Sequence, residues 1–247
     1  NKEQIIKICD RDFLGCDQLI LINNSELSDA SIEFFNSDGG TSGACGNGTR
    51  CVADLIAKES GKKTIILTTE SGKLKSEILG DKLVSTEIGI AKTKWNEIPL
   101  SENLDTKNLS IKIYDLDNKE YVGGTAVNVG NPHIIFFVED NENFDIKKIG
   151  PEIEHHKFFP ERCNVTLATI VNKELIKVRV WERGAGLTKA CGTAACATAF
   201  AAKQNGLASN KVDIEFSTGK LSISIDENNS VQMKGPVSDI KNIEIKI

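Results

Sequence analysis

The chain has 247 residues, enough for one large domain or two small ones. Apolar residues make up 40% and charged residues 26%, so a sizeable core and an ordinary surface are both available, and a formal net charge of −5 argues against the basic face of a nucleic-acid binder. No run approaches the roughly 18 apolar residues of a membrane span, no signal peptide is visible, and seven cysteines without a C-x-x-C pair fit a reducing cytoplasm rather than a disulfide scaffold or a zinc site.

Along the chain, Lys2 to Arg11 has the period of a helix, with Ile5, Ile6 and Cys9 predicted on one face. An apolar run, Leu19 to Ile22, then a polar turn, Asn23 to Asp29, then Ile32, Phe34 and Phe35 read as a β-hairpin. A glycine-rich stretch follows, N-S-D-G-G-T-S-G-A-C-G-N-G-T-R from Asn36 to Arg50, leading into a helix over about Thr49 to Glu59 that Gly61 stops. Thr64 to Thr69 and Lys73 to Ile78 form the next strand pair. Much later, Val165 to Val171 and the alternating Ile176, Val178, Val180 form another hairpin around Asn172-Lys173-Glu174. E-R-G-A-G-L-T-K-A-C-G-T-A-A from Glu182 to Ala195 then opens a helix over about Thr193 to Gln204, stopped by Asn205-Gly206. Val212 to Phe216 and Leu221 to Ile225 form the last strand pair.

These two series match at one offset. Gln18 and Asn164, Asn36 and Glu182, Cys45 and Cys191, and Gly89 and Gly235 are each 146 positions apart; Gly72-Lys73-Leu74 and Gly219-Lys220-Leu221 are 147 apart. The chain is therefore read as two copies of one β-rich unit. This gives an α+β fold of two pseudo-symmetric lobes, each a barrel-like sheet wrapped round a central helix. The small residues of Cys51-Val-Ala-Asp-Leu-Ile-Ala and Cys196-Ala-Thr-Ala-Phe-Ala-Ala suit helices enclosed by strands. The first lobe covers about residues 1–90, the second about 91–236.

A cysteine at a helix start sits beside unpaired N–H groups carrying partial positive charge, which predicts a thiol pKa lowered from about 8.5. Gly46, Gly48 and Gly192 let backbone approach an anion closely. Cys9, Cys16, Cys51, Cys163 and Cys196 lack this context and read as small apolar residues. Placed face to face, two such thiols suit removal of a proton from one side of an α-carbon and return of one to the other.

G-C-D-Q at Gly15 to Gln18, N-S-D-G-G at Asn36 to Gly40, A-C-G-N-G-T-R-C at Ala44 to Cys51, G-N-P-H at Gly130 to His133, E-R-C-N-V at Glu161 to Val165 and E-R-G-A-G-L-T-K-A-C-G-T-A-A-C at Glu182 to Cys196 together resemble the diaminopimelate epimerase family over nearly the whole chain. The resemblance implies reversible conversion of LL- to meso-2,6-diaminopimelate in lysine and peptidoglycan precursor synthesis, by a thiolate/thiol pair. It implies no cofactor, pyridoxal phosphate or metal, and a homodimer. Carried over, Cys45 and Cys191 are the acid/base residues, with His133 and Glu182 assisting them. The N–H groups of Gly46, Asn47, Gly192 and Thr193 hold the reacting carboxylate. Asn36, Asn164 and Arg183 read the distal amino acid head, the guanidinium suiting a bidentate carboxylate contact, and Gln18 and Asn131 line the site. The resemblance also implies a last strand near Ile240 to Ile247 that returns to the first lobe and adds about residues 237–247 to it, and a strand with a Gly-Asn-Asp-Phe segment ahead of the first helix; no such segment stands before Asn1, and Gly40 stands where the family usually has serine.

Other readings are separable. A related racemase of proline-like or unsaturated acids would not need Asn36, Asn164 and Arg183 for a second head group. A binding protein would keep its ligand after loss of either cysteine. G-A-C-G-N-G-T-R lacks both the Lys-Ser/Thr of a P-loop and the G-x-G-x-x-G order. A pyridoxal enzyme would be coloured.

Overall fold

The structure is a computed structural model that describes residues 1–10, 12–16, 18–42, 45–70, 72–80 and 82–245. The chain divides into two compact units, Asn1–Glu87 with Gly235–Ile247, and Ile88–Lys234. Among the described residues, no helix is long and apolar enough to cross a membrane.

Unit 1 opens with α1 (Lys2–Cys9), capped by Asn1, whose side chain accepts from the Gln4 N–H at 3.0 Å. Its buried residues are Ile5, Ile8 and Cys9, while Ile6 is exposed. The expected face is thus corrected: the buried stripe is Ile5, Ile8 and Cys9, the i, i+3, i+4 set, so Ile8 takes the place given to Ile6. Arg11, in the expected span, lies outside the described residues. The strands are β1 (Gln18–Asn23), β2 (Ala30–Asn36), β3 (Thr41–Ser42), β4 (Thr64–Thr69), β5 (Gly72–Gly80) and β6 (Leu83–Ile90), ordered β1-β2-β4-β5-β6 with β3 on β2. The helix α2 (Gly46–Ser60) packs on β4 and β5 and ends at Gly61, whose φ of 73° is the left-handed conformation glycine takes without strain. Its Val52, Ala53 and Ala57 join Ile32, Phe34, Ile65 and Leu67 in the core. Thr49, Arg50, Val52, Ala53, Asp54 and Ala57 of this helix are buried, while Cys51 is exposed.

Unit 2 adds a separate two-stranded ribbon, β7 (Ile111–Tyr114) with β8 (Glu120–Gly123), which the sequence reading did not mark. Then come β9 (Thr125–Asn128), β10 (Pro132–Phe137), a 3-10 turn (Asn141–Asn143), α3 (Ile146–Glu154), β11 (Asn164–Asn172), β12 (Leu175–Glu182), β13 (Gly186–Thr188), α4 (Gly192–Gln204), β14 (Lys211–Phe216), β15 (Gly219–Ile225) and β16 (Ser230–Pro236). The order is β16-β15-β14-β12-β11-β10-β9, with β13 on β12. Here the helix is enclosed. Every residue of α4 from Gly192 to Ala202 is buried, against β9, β10, β11, β14 and β15. Only side chains as small as alanine let strands approach a helix on all faces.

The repeat seen in the sequence is repeated in the ladders. Ile20 pairs with Phe34 as Thr166 pairs with Val180, and Phe34 with Ser42 as Val180 with Thr188. The parallel pair Ala30 and Leu67 has its counterpart in Ile176 and Ile214; Leu67 and Leu74 in Ile214 and Leu221; Ser76 and Thr86 in Ile223 and Met233. The first members use the 146 offset and the later ones 147, so one residue is gained between the helix and the strand after it. Carried to the strand ends, that register sets Gly89 against Pro236. The Gly89/Gly235 match is one residue out. Both helices also start three residues earlier than or one residue before expected, at Gly46 and Gly192, directly after the cysteines.

Residues 237–245 carry no regular structure, so the strand expected near Ile240 to Ile247 is not formed over its described part; 246 and 247 lie outside it. Val237 still donates to the Lys82 carbonyl at 2.8 Å, but Ile240 and Ile243 are exposed.

Candidate active site

In unit 1 the glycine-rich stretch is a reversal followed by a cap. The Asn36 N–H donates to the Gly40 carbonyl at 2.8 Å, and the Gly40 N–H to the Asp38 carboxylate at 2.8 Å, with Gly39 at φ 79°. This returns the chain into β3 and then to Cys45, the N-cap of α2, in extended conformation (φ −143°, ψ 97°). Its Sγ accepts from the Gly48 N–H at 3.3 Å, and its carbonyl accepts from the Thr49 N–H and Oγ1–H, each at 2.9 Å. Gly48 has no room for a side chain: a Cβ there would stand 2.5 Å from Ile20 Cδ1 and 3.1 Å from the Cys45 sulfur. Gly46 is buried at the first helical position, and Asn47 turns its side-chain oxygen to Arg50 Nη2 at 3.0 Å. Gln18 and Asn36 face each other across β1 and β2, with Gln18 Nε2 donating to Asn36 Oδ1 at 2.9 Å.

In unit 2 Cys191 caps α4 with nearly the same backbone (φ −139°, ψ 116°), but it is buried. Its Sγ lies 3.5 Å from Thr193 Oγ1. Burial pushes its thiol well above the ordinary value, and the nearby Glu182 carboxylate, which accepts the S–H, pushes it further. The Thr193 hydroxyl and the Ala194 N–H act in the other direction and are outweighed. The lowered pKa expected at a helix start is therefore corrected for Cys191: desolvation and an anion exceed the pull of the helix terminus.

His133 stands on β10, paired with Val127 of β9 and Asn164 of β11, and is wholly buried. Its Nε2 bonds Asn131 Oδ1 at 2.8 Å, while Asn131 Nδ2 donates to Thr193 Oγ1 at 3.4 Å. With the amide oriented that way the ring carries its proton on Nε2. Nδ1 is buried with no hydrogen-bond partner among the described residues. Burial, helped by the charge of Arg183, lowers the His133 pKa to about 3, so the ring is neutral near pH 7. His133, Asn131, Thr193 and Cys191 thus form one hydrogen-bonded file, with Gly192 buried beside it.

Asn164 is buried with both ends of its amide engaged: Nδ2 donates to the Pro132 carbonyl at 2.9 Å, and Oδ1 accepts the Arg183 N–H at 3.0 Å. Arg183 sends Nη1 to the Glu161 carbonyl at 3.0 Å. Sequence reasoning missed Glu154, a buried carboxylate at the end of α3. It accepts from Trp181 Nε1 at 2.7 Å and from the Gly184 N–H at 3.0 Å. No motif marks it; the one available signal was its spacing of four from Gly150 on an amphipathic segment.

Comparison with known proteins places this arrangement. The diaminopimelate epimerase family matches residues 1–94 and 125–240. Diaminopimelate epimerase of Pelagibacter ubique (strain HTCC1062) is 68% identical over 247 residues, covering all of this chain and 90% of the relative. That of Acidiphilium cryptum (strain JF-5) is 43% identical over 225 residues, covering 91% and 79%. Among solved structures, a PhzF-family phenazine biosynthesis protein of Bacillus anthracis has a TM-score of 0.69 at 14% identity, covering 100% of this chain and 90% of that one. A hydroxyproline epimerase from Agrobacterium vitis, with bound trans-4-OH-L-proline, has 0.67 at 12%, covering 95% and 76%. Those two likenesses show the shared fold. The chain belongs to the diaminopimelate epimerase family, and it is an epimerase.

Proposed function

We propose that the chain interconverts LL- and meso-2,6-diaminopimelate by a two-base reaction of Cys45 and Cys191. What supports this reading, beyond the family, is that both cysteines occupy the same N-cap position in two repeats whose ladders agree residue by residue. One thiolate takes the α-proton from one face of the carbon, and the other thiol returns a proton to the opposite face; the reverse reaction exchanges the roles. The first-turn N–H groups at Gly46, Asn47, Gly192 and Thr193 hold the reacting carboxylate as negative charge builds on it. Donors of this kind are worth roughly 3–4 kcal/mol each.

The raised pKa of Cys191 fits its part. In the resting enzyme it is the thiol, the proton donor, with its S–H on Glu182. Once deprotonated, in a setting that disfavours the anion, its thiolate is a stronger base than one stabilised by its surroundings. His133 stays neutral and steadies the far end of the file through Asn131. Gln18, Asn36, Asn164 and Arg183 serve the non-reacting head group. The reaction needs no pyridoxal phosphate or metal. We place it in the cytoplasm, in lysine and peptidoglycan precursor synthesis, in a homodimer.

The test is α-deuterium uptake from heavy water with LL-2,6-diaminopimelate. Uptake is expected, and Cys45→Ala and Cys191→Ala each abolish epimerisation. Absence of uptake in the wild type rejects the substrate; full epimerisation by either variant rejects the two-base assignment.

A further inference from the structure

We propose that Glu154 is a positioning residue that fixes the Glu182-Arg183 dipeptide; the inference rests on the proposed roles of those two residues. Glu154 lies at the end of α3, 4% exposed, and the proposed chemistry does not use it. A carboxylate is costly to bury unless its hydrogen bonds are well made, and an apolar side chain would fill the space without that cost. The two bonds it makes are specific. Oε2 takes the indole N–H of Trp181, the residue just before Glu182, and Oε1 takes the backbone N–H of Gly184, the residue just after Arg183. The clamp grips the dipeptide on both flanks. Asn164 holds the Arg183 N–H between them at 3.0 Å. Arg162 Nη1, 3.9 Å from Oε1, adds a positive charge beside the carboxylate.

The helix that carries Glu154 is itself locked to the same strand. A Cβ on Gly150 would stand 2.4 Å from Cγ and Cδ2 of Trp181 and 2.8 Å from its Cβ, so α3 touches the indole at the one position with no side chain. Helix, indole and carboxylate then move as one body. The Glu182 carboxylate at Cys191 and the Arg183 guanidinium take their places from it.

Glu154→Gln tests this with little change of shape. The amide has one oxygen to accept with, and its NH2 must face an N–H it cannot satisfy. In the folded variant, kcat/KM for LL-2,6-diaminopimelate is expected to fall about tenfold, as small misplacements of catalytic groups do, and Gly184 amide exchange to quicken by a similar factor. Adding Trp181→Phe removes the clashing donor while keeping the Cβ, Cγ and Cδ atoms that Gly150 touches, and should recover most of both losses. A purely structural role predicts a lower Tm with kcat/KM and Gly184 exchange unchanged, and that result overturns the proposal; so does a double variant no better than Glu154→Gln alone. If Glu154→Gln does not fold, Glu154→Asp, which withdraws the charge by one methylene, is read the same way. A wild type that epimerises nothing would reject the substrate reading, while Gly184 exchange and its recovery in the double variant would still decide the clamp.

Discussion

Lowering the pH should weaken unit 2 through His133. The ring is wholly buried, gives its Nε2 proton to Asn131, and has its pKa lowered from 6.5 to about 3 by burial and by Arg183. In the unfolded chain it protonates near 6.5. Between the two values the unfolded state binds more protons, so the stability from keeping this ring neutral is complete above pH 6.5. It drains away as the pH falls toward 3. At pH 5, one and a half pH units below the unfolded value, the loss is about 2 kcal/mol at 1.36 kcal/mol per unit. Urea unfolding followed by tryptophan fluorescence reads this selectively, because Trp95 and Trp181, the chain's two tryptophans, both lie in unit 2. The comparison is wild type against His133→Gln at pH 8 and pH 5. Contributions common to both proteins cancel in the difference. The wild type should lose about 2 kcal/mol more than the variant. Equal losses would refute the reasoning, since they would mean the ring charges in place.

Without substrate, Cys191 should resist alkylation, because its raised pKa keeps it a thiol at pH 7.5 and its sulfur is buried. Brief iodoacetamide treatment followed by peptide mass spectrometry should find Cys51, whose thiol pKa is also raised but which is exposed, labelled at least about tenfold faster; earlier labelling of Cys191 would contradict the shift. Gly150→Ala gains about 1 kcal/mol of helix propensity but forces a methyl into the indole of Trp181. Overpacking of this kind costs roughly 1–3 kcal/mol, so a net loss in Tm with an altered Trp181 emission is expected, and a stabilised protein would show that α3 can slide.

The hairpins and the repeat were legible because a strand's alternation and a fixed offset are properties of sequence alone. Ile176, Val178 and Val180 announce their strand, and the register follows from the turn at Asn172. Ile6 was misplaced because a run of two isoleucines does not say which one faces inward. Cys191 was read from its local helix start, whereas its pKa answers first to burial, which strands distant in sequence provide, and then to Glu182 of its own motif. Glu154 was invisible for the same reason. Its partners lie 27 and 30 residues away, and only the folded chain makes them neighbours.

The all-round burial of α4 has a kinetic consequence. Its alanines give it a strong intrinsic tendency to coil up alone, yet no side of it is greasy enough to dictate which strand lands first. The rod can therefore flicker into existence early, but it is locked only when segments as far apart as Thr125–Asn128 and Gly219–Ile225 have closed round it. Such distant closures are slow. Assembly of this half of the molecule is expected to wait on its strands, with the helix serving as a mandrel.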